Sequence, residues 1–131
     1  MDINKTLDQL ENNIWGEPQY SSYLVKECHR LRKVQLKDFS PADLRVMIGQ
    51  SISLKYLIPL ALDILENDPF IDAYYFDGDL LTVVLTSSKE YWENMPIERE
   101  RLKNIVTSIT DSKYKNQLII EAISVHDKKI F

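Results

Sequence analysis

The sequence predicts an all-α fold, a compact multi-helix single domain spanning residues 1–131, and three observations carry that prediction. Apolar residues recur at three- and four-residue steps through most of the chain. Serine and proline stand where helices would begin. Glycine and proline are scarce, 3 and 5 residues, so few breakers interrupt the pattern. One segment resists this reading: residues 74–86 surround Asp77-Gly78 with aromatic and β-branched side chains that also suit a short β-hairpin.

The elements follow in order. Thr6 to Asn12 carries Leu7 and Leu10 on a short helix that stops before Trp15-Gly16-Glu17-Pro18. Ser21 or Ser22 caps a second helix, on which Leu24, Val25, Cys28, Leu31 and the stem of Arg32 share the core-facing side. Ser40-Pro41-Ala42-Asp43 opens a third, with a capping side chain, proline at the first position and an acid at the positive end. Its buried stripe is Leu44, Met47, Ile48 and Ile52, and Gly49 either ends it or admits a neighbouring helix, so a bulky residue there would destabilise.

From Tyr56 to Leu65 apolar residues fall nearly all round, the mark of an enclosed central helix, and Pro59 must sit in its first turn or kink it. At 74–86 a turn followed by a helix near Asp79 is preferred, because Leu80, Leu81 and Val84 fit helical spacing and a lone hairpin is marginal. Ser87 or Ser88 starts a helix holding Tyr91 and Trp92. Pro96 opens another with Leu102, Ile105, Val106 and Ile109, and Leu118, Ile119, Ala122 and Ile123 make a last one. Trp15, Phe76 and Trp92 are assigned to the core.

Composition narrows the function. A single cysteine rules out an internal disulfide and fits a reducing, cytoplasmic setting. Met1-Asp2-Ile3-Asn4-Lys5 lacks the basic and apolar regions of a signal peptide. The longest strongly apolar run, Tyr56 to Leu62, is far below the roughly 20 residues of a membrane helix. Cys28-His29 has the ingredients of a nucleophile and its base, yet adjacent helical residues point about 100° apart, so a buried structural cysteine is favoured. His126 has no partner at ligand spacing. With no phosphate loop and no hydrolase or metalloprotease motif, neither an enzyme nor a metal or cofactor is expected.

Five segments, in order, resemble one family of immunity proteins from bacterial contact-dependent growth inhibition (CDI) systems. They are Trp15-Gly16-Glu17-Pro18; Leu24-Val25 with Cys28-His29-Arg30-Leu31-Arg32; Asp43-Leu44-Arg45-Val46-Met47-Ile48-Gly49-Gln50; Tyr56-Leu57-Ile58-Pro59-Leu60-Ala61-Leu62; and Gly78-Asp79-Leu80-Leu81. The series covers residues 10–85. The family's pattern has glycine near Ser53 and proline near Lys55 and Asp77, so this chain departs from it at three loop positions. The resemblance implies a small cytosolic protein that binds and neutralises one toxin domain delivered by neighbouring cells.

Charge suggests where. The formal charge is −4, unevenly spread. No basic residue lies between Lys55 and Lys89, while Asp63, Glu66, Asp68, Asp72, Asp77 and Asp79 all fall there. Solvated caps and turns would explain these carboxylates equally well. Alternatively they form a toxin-binding face for a basic partner, a nuclease above all, because a protein that holds phosphates is basic. Tyr74 and Tyr75 inside the segment are the anchors expected of such a face. The basic residues Lys26, Arg30, Arg32, Lys33, Lys37, Arg45 and Lys55 are scattered without aromatic interleaving, so no nucleic-acid binding is expected. The expectation is one-to-one inhibition of a cognate C-terminal toxin domain, with no membrane contact. The alternative is a regulatory adaptor or scaffold for an endogenous basic protein.

Overall fold

The computed structural model describes residues 1–19 and 22–110 of the chain. It is all-α: α1 (Leu7–Leu10), α2 (Tyr23–Leu31), a 3-10 turn (Leu36–Asp38), α3 (Pro41–Gly49), α4 (Leu54–Asn67), α5 (Asp79–Leu85), α6 (Lys89–Asn94) and α7 (Pro96–Thr110). The helix expected around Leu118 to Ile123 lies outside the described residues. Among the described residues there is no β-strand, only isolated bridges between Thr6 and Gln35 and between Asp72 and Asp77. The turn-then-helix arrangement therefore replaces the hairpin at 74–86: Gly78, at φ 89°, turns the chain in a left-handed conformation that favours glycine, and α5 starts at the next residue.

Helix starts follow side-chain chemistry. Thr6 and Gln9 form a capping box on α1, Ser22 accepts the Val25 amide on α2, and Ser40 and Asp43 form a second box on α3 with Pro41 at its first position. α4 is the axis of the domain. It buries Leu57, Ile58, Ala61, Leu62 and Leu65, and α3, α5 and α7 all pack against it. Pro59 is its sixth residue, beyond the first turn, so the Lys55 carbonyl lacks the amide that would normally reach it. The core is completed by Leu44, Met47 and Ile48 of α3, Leu80, Leu81, Val84 and Leu85 of α5, and Leu102, Ile105, Val106 and Ile109 of α7.

Trp92 is buried as expected, and its indole N–H donates to Ser87 Oγ at 3.2 Å. Ser88 holds the N-cap position of α6 without a side-chain hydrogen bond. Trp15 and Phe76 are only half-buried. Three further positions depart from the reading of the sequence. Leu24 shares the spacing of buried Cys28 and Leu31 yet is 41% exposed. Gly49 is the last residue of α3, one of the two roles expected of it, but a Cβ there would meet only Val83 Cγ1 at 3.9 Å, an ordinary contact that gives no reason at that carbon for the expected destabilisation. Arg32 buries its whole side chain rather than its stem alone, at 1% exposure.

Arg32 organises the N-terminal third. Its Nε donates to Asp8 Oδ1 at 2.8 Å, Nη1 to Glu11 Oε1 and to Ser53 Oγ at 3.2 Å, and Nη2 to the Asn13 carbonyl at 2.9 Å. Its guanidinium also stacks on Trp15, 4.3 Å from the ring centroid. Lys33 Nζ donates to the second Asp8 oxygen at 2.7 Å and to the Trp15 carbonyl at 2.8 Å. Ser53 donates to Glu11 at 2.8 Å from a backbone at φ 53°, the left-handed region that favours glycine. One buried cation thus fastens α1, the 11–15 loop and the α3–α4 junction to the end of α2.

Removing one partner of a buried ion network strands the others, so Arg32→Ala should lower the unfolding free energy by about 3–5 kcal/mol, read from the urea midpoint. A loss below about 1 kcal/mol, the worth of an exposed pair, would show that the network does not hold the fold. For Asp8, burial pushes the carboxyl up, but hydrogen bonds from Lys33, the Trp15 amide and Arg32 outweigh it and hold the group below its ordinary 3.8. A depressed folded pKa stabilises above the unfolded value and loses that contribution as pH falls through the folded one. The slope of stability against pH below 3.8 should accordingly shrink in Asp8→Asn; an unchanged slope would assign the acid loss to other carboxyls.

Candidate functional site

Asp79 builds the most conspicuous surface feature from beneath. It is the first residue of α5 and is 1% exposed. Its carboxylate accepts the amides of Ala73 at 2.7 Å, Tyr74 at 3.1 Å and Tyr75 at 2.9 Å, and Arg45 Nε of α3 lies 3.4 Å away. The Gly78 amide closes the loop on the Ile71 carbonyl at 3.0 Å. Residues 71–78 are therefore wound around one buried anion, which satisfies three consecutive amides.

That winding leaves two tyrosines outside. Tyr74 is 74% and Tyr75 64% exposed, packed edge to face with centroids 4.9 Å apart. The Arg45 guanidinium lies 4.3 Å from the Tyr75 centroid. Beside the pair runs a groove of about 770 Å³ between α2, α3 and α5. Tyr23, Leu24 and Glu27 line it from α2, Asp43 and Gly49 from α3, and Val83 from α5. Tyr23 is 80% exposed. Three open tyrosines and a leucine thus gather around one concavity.

The acidic run of the sequence divides in space. Asp63 and Glu66 of α4 both hold Arg101 of α7, at 2.6 and 2.5 Å. The Arg101 hydrogen bond keeps the Glu66 carboxyl below its ordinary range. Asp68 is the exposed C-cap of α4, and Asp72 and Asp77, also exposed, pair through their backbones at the base of the tyrosine loop. Asp79 acts from inside. Tyr74, Tyr75 and Asp79 are brought together with Arg45, whereas Asp63 and Glu66 belong to the α4–α7 contact.

Reading the sequence missed Tyr23, Leu24, Glu27 and Asp43. Tyr23 and Leu24 sit in the first turn of α2, and nothing in helical spacing distinguishes a core leucine from an exposed one. Glu27 is bonded to Arg30, whose hydrogen bonds hold its carboxyl below the ordinary range, and Asp43 accepts the Ser40 amide at 3.0 Å.

Cys28 and His29 form no dyad. The thiol is buried, and burial together with the Glu27 charge pushes it up. His29 Nδ1 donates to the Gly16 carbonyl at 2.8 Å, and its ring packs on Trp15 with centroids 5.0 Å apart. Among the described residues no group of three His, Cys, Asp or Glu could hold a metal ion, and no helix is long and apolar enough to cross a membrane.

Comparison with known proteins gives one family: residues 9–102 match the CDI immunity proteins. No curated protein and no solved structure matches the chain.

Because three amides depend on one carboxylate, Asp79→Ala should cost roughly 1.5–3 kcal/mol and speed hydrogen exchange at Ala73, Tyr74 and Tyr75 ahead of α4. Exchange at those amides no faster than in the parent would show that the loop keeps its shape without Asp79.

Proposed function

The chain belongs to the CDI immunity proteins, and from that premise we propose that it protects the cytoplasm by binding one toxin domain, one to one, through the face that carries Tyr74 and Tyr75. Immunity is a non-catalytic role: the inhibitor acts by occupancy. The observation that most supports this face is the pair of tyrosines held outward by a buried carboxylate, with Asp68, Asp72 and Asp77 exposed in the same stretch of chain. A tyrosine buries a large area for the loss of few rotatable bonds, and a fixed loop reduces the ordering cost further.

The partner that suits these carboxylates is a basic toxin, and a nuclease is the leading class because it must attract phosphates. Complementary charge acts mainly on capture, raising association to as much as about 10⁸–10⁹ M⁻¹s⁻¹ at low salt, while the buried aromatics set the lifetime of the complex. Asp63 and Glu66 add to the negative field although Arg101 already engages them. Asp79 contributes through the loop that it shapes.

Bacteria expressing the toxin domain encoded beside this protein should regain growth when the chain is co-expressed, and the two should co-purify in equal amounts. No rescue and no complex, with both proteins soluble, would favour the adaptor reading. Charge reversal by Asp68→Lys with Asp72→Lys should slow association and weaken its salt dependence with little change in dissociation. Unaltered association kinetics would move the docking face away from these two carboxylates.

A further inference from the structure

We infer that the groove between α2, α3 and α5 is the seat of the anchoring contact, and that it takes a basic side chain, arginine or lysine, projecting from the toxin. The inference rests on the immunity reading and gives it a contact chemistry. Three observations carry it.

The first is the exposure of large side chains around the groove. Tyr23, Leu24 and Tyr74 lie open around the groove, and Leu24 does so at the spacing of a core residue. Apolar side chains gathered at a concavity are what a partner covers.

The second is charge. Arg45 is the basic residue of the lining, and it is balanced by Asp79 beneath it at 3.4 Å. Glu27 and Asp43 also line the groove, and Asp72 and Asp77 stand exposed on the adjoining loop. Arg30 offsets Glu27 and also faces Asp43 and Tyr23, so the negative balance around the groove comes from Asp43 together with Asp72 and Asp77 of the loop. A cationic visitor is attracted, whereas an acidic one would meet repulsion.

The third is that the protein already makes this contact with a cation of its own. Arg45 stacks on Tyr75 at 4.3 Å while its charge meets a carboxylate. Tyr23 and Tyr74 carry no stacked cation among the described residues, and Glu27 and Asp43 line the same space. An arginine or lysine stem laid against a tyrosine, with its head at a carboxylate, repeats that pattern across the interface.

Gly49 supplies the test. It lines the groove, its Cβ position meets only Val83 at 3.9 Å, and its backbone is not left-handed, so a side chain can start there without backbone strain and Gly49→Phe adds bulk to the groove's lining. Toxin affinity would be measured for the parent, Gly49→Phe, Tyr23→Ser and Tyr74→Ser, with thermal melting of each as a control. The two serine variants remove exposed rings and guard against a folding defect in the first.

The expected result is a loss of at least about 30-fold in affinity for Gly49→Phe and for one or both serine variants, without a change in melting. A double-mutant cycle between Glu27→Gln and single Lys or Arg replacements on the toxin should show coupling of roughly fivefold or more at one position. Parent-like affinity in all three groove variants would overturn the inference while the immunity reading stands, because the parent still binds and protects. A parent that neither binds nor protects would overturn both. Affinity loss without coupling to any basic toxin residue would overturn the basic occupant.

Discussion

A buried guanidinium can persist only if nearly every one of its donors is met, and Arg32 imposes that condition on the N-terminal third of the molecule. Its partners come from Asp8 and Glu11 at α1, the carbonyl of Asn13 in the following loop, and Ser53 before α4. None of these segments could be stable alone. α1 is one turn long, far below the length at which an isolated helix holds in water. The left-handed Ser53 is tolerated because its hydroxyl serves both Arg32 and Glu11; a glycine would adopt the backbone more easily but would leave those two groups a hydrogen bond short.

A second buried ion performs the analogous task at the tyrosine loop. Asp79 gathers three amides and faces Arg45, so α3, α5 and the 71–78 loop meet at one carboxylate. Both clamps use a charged group inside to fix irregular chain outside, whereas beyond its capped first turn a helix satisfies its amides internally. At the Asp79 clamp the product is display: two tyrosines that hydrophobic burial alone would draw inward are held in solvent by hydrogen bonds made to their own backbone.

The helices were legible because they rest on local rules. Apolar spacing located α3, α4 and α7, and Ser22, Ser40 and Pro96 marked starts by chemistry confined to a few residues. Gly78 separated turn from helix where strand propensity pointed the other way. What stayed hidden was nonlocal. Arg32 meets partners 19 to 24 positions away, and no period in the sequence announces that a basic residue will be interior. Asp79 looked like a cap for its own helix but turned back to the loop before it. Leu24 followed the core spacing and still lay open, and such disagreement between a valid local rule and the folded chain is where a binding surface is to be sought.

On the proposed face, charge and shape would divide the work of recognition. Exposed carboxylates such as Asp68 and Asp72 act over about a Debye length, roughly 8 Å at physiological salt, so they influence approach more than grip. A groove walled by tyrosine acts only on contact, where water has left and a cation beside a carboxylate gains far more than it would on the open surface. An inhibitor that relied on the first alone would release its toxin in salt, and one that relied on the second alone would capture it slowly. The immunity role requires speed, because toxin that escapes capture reaches its target, and persistence, because the inhibitor works only while bound. Asp72 and Asp77 share loop 71–78 with Tyr74 and Tyr75, so on the proposed face one buried carboxylate, Asp79, would position members of both sets.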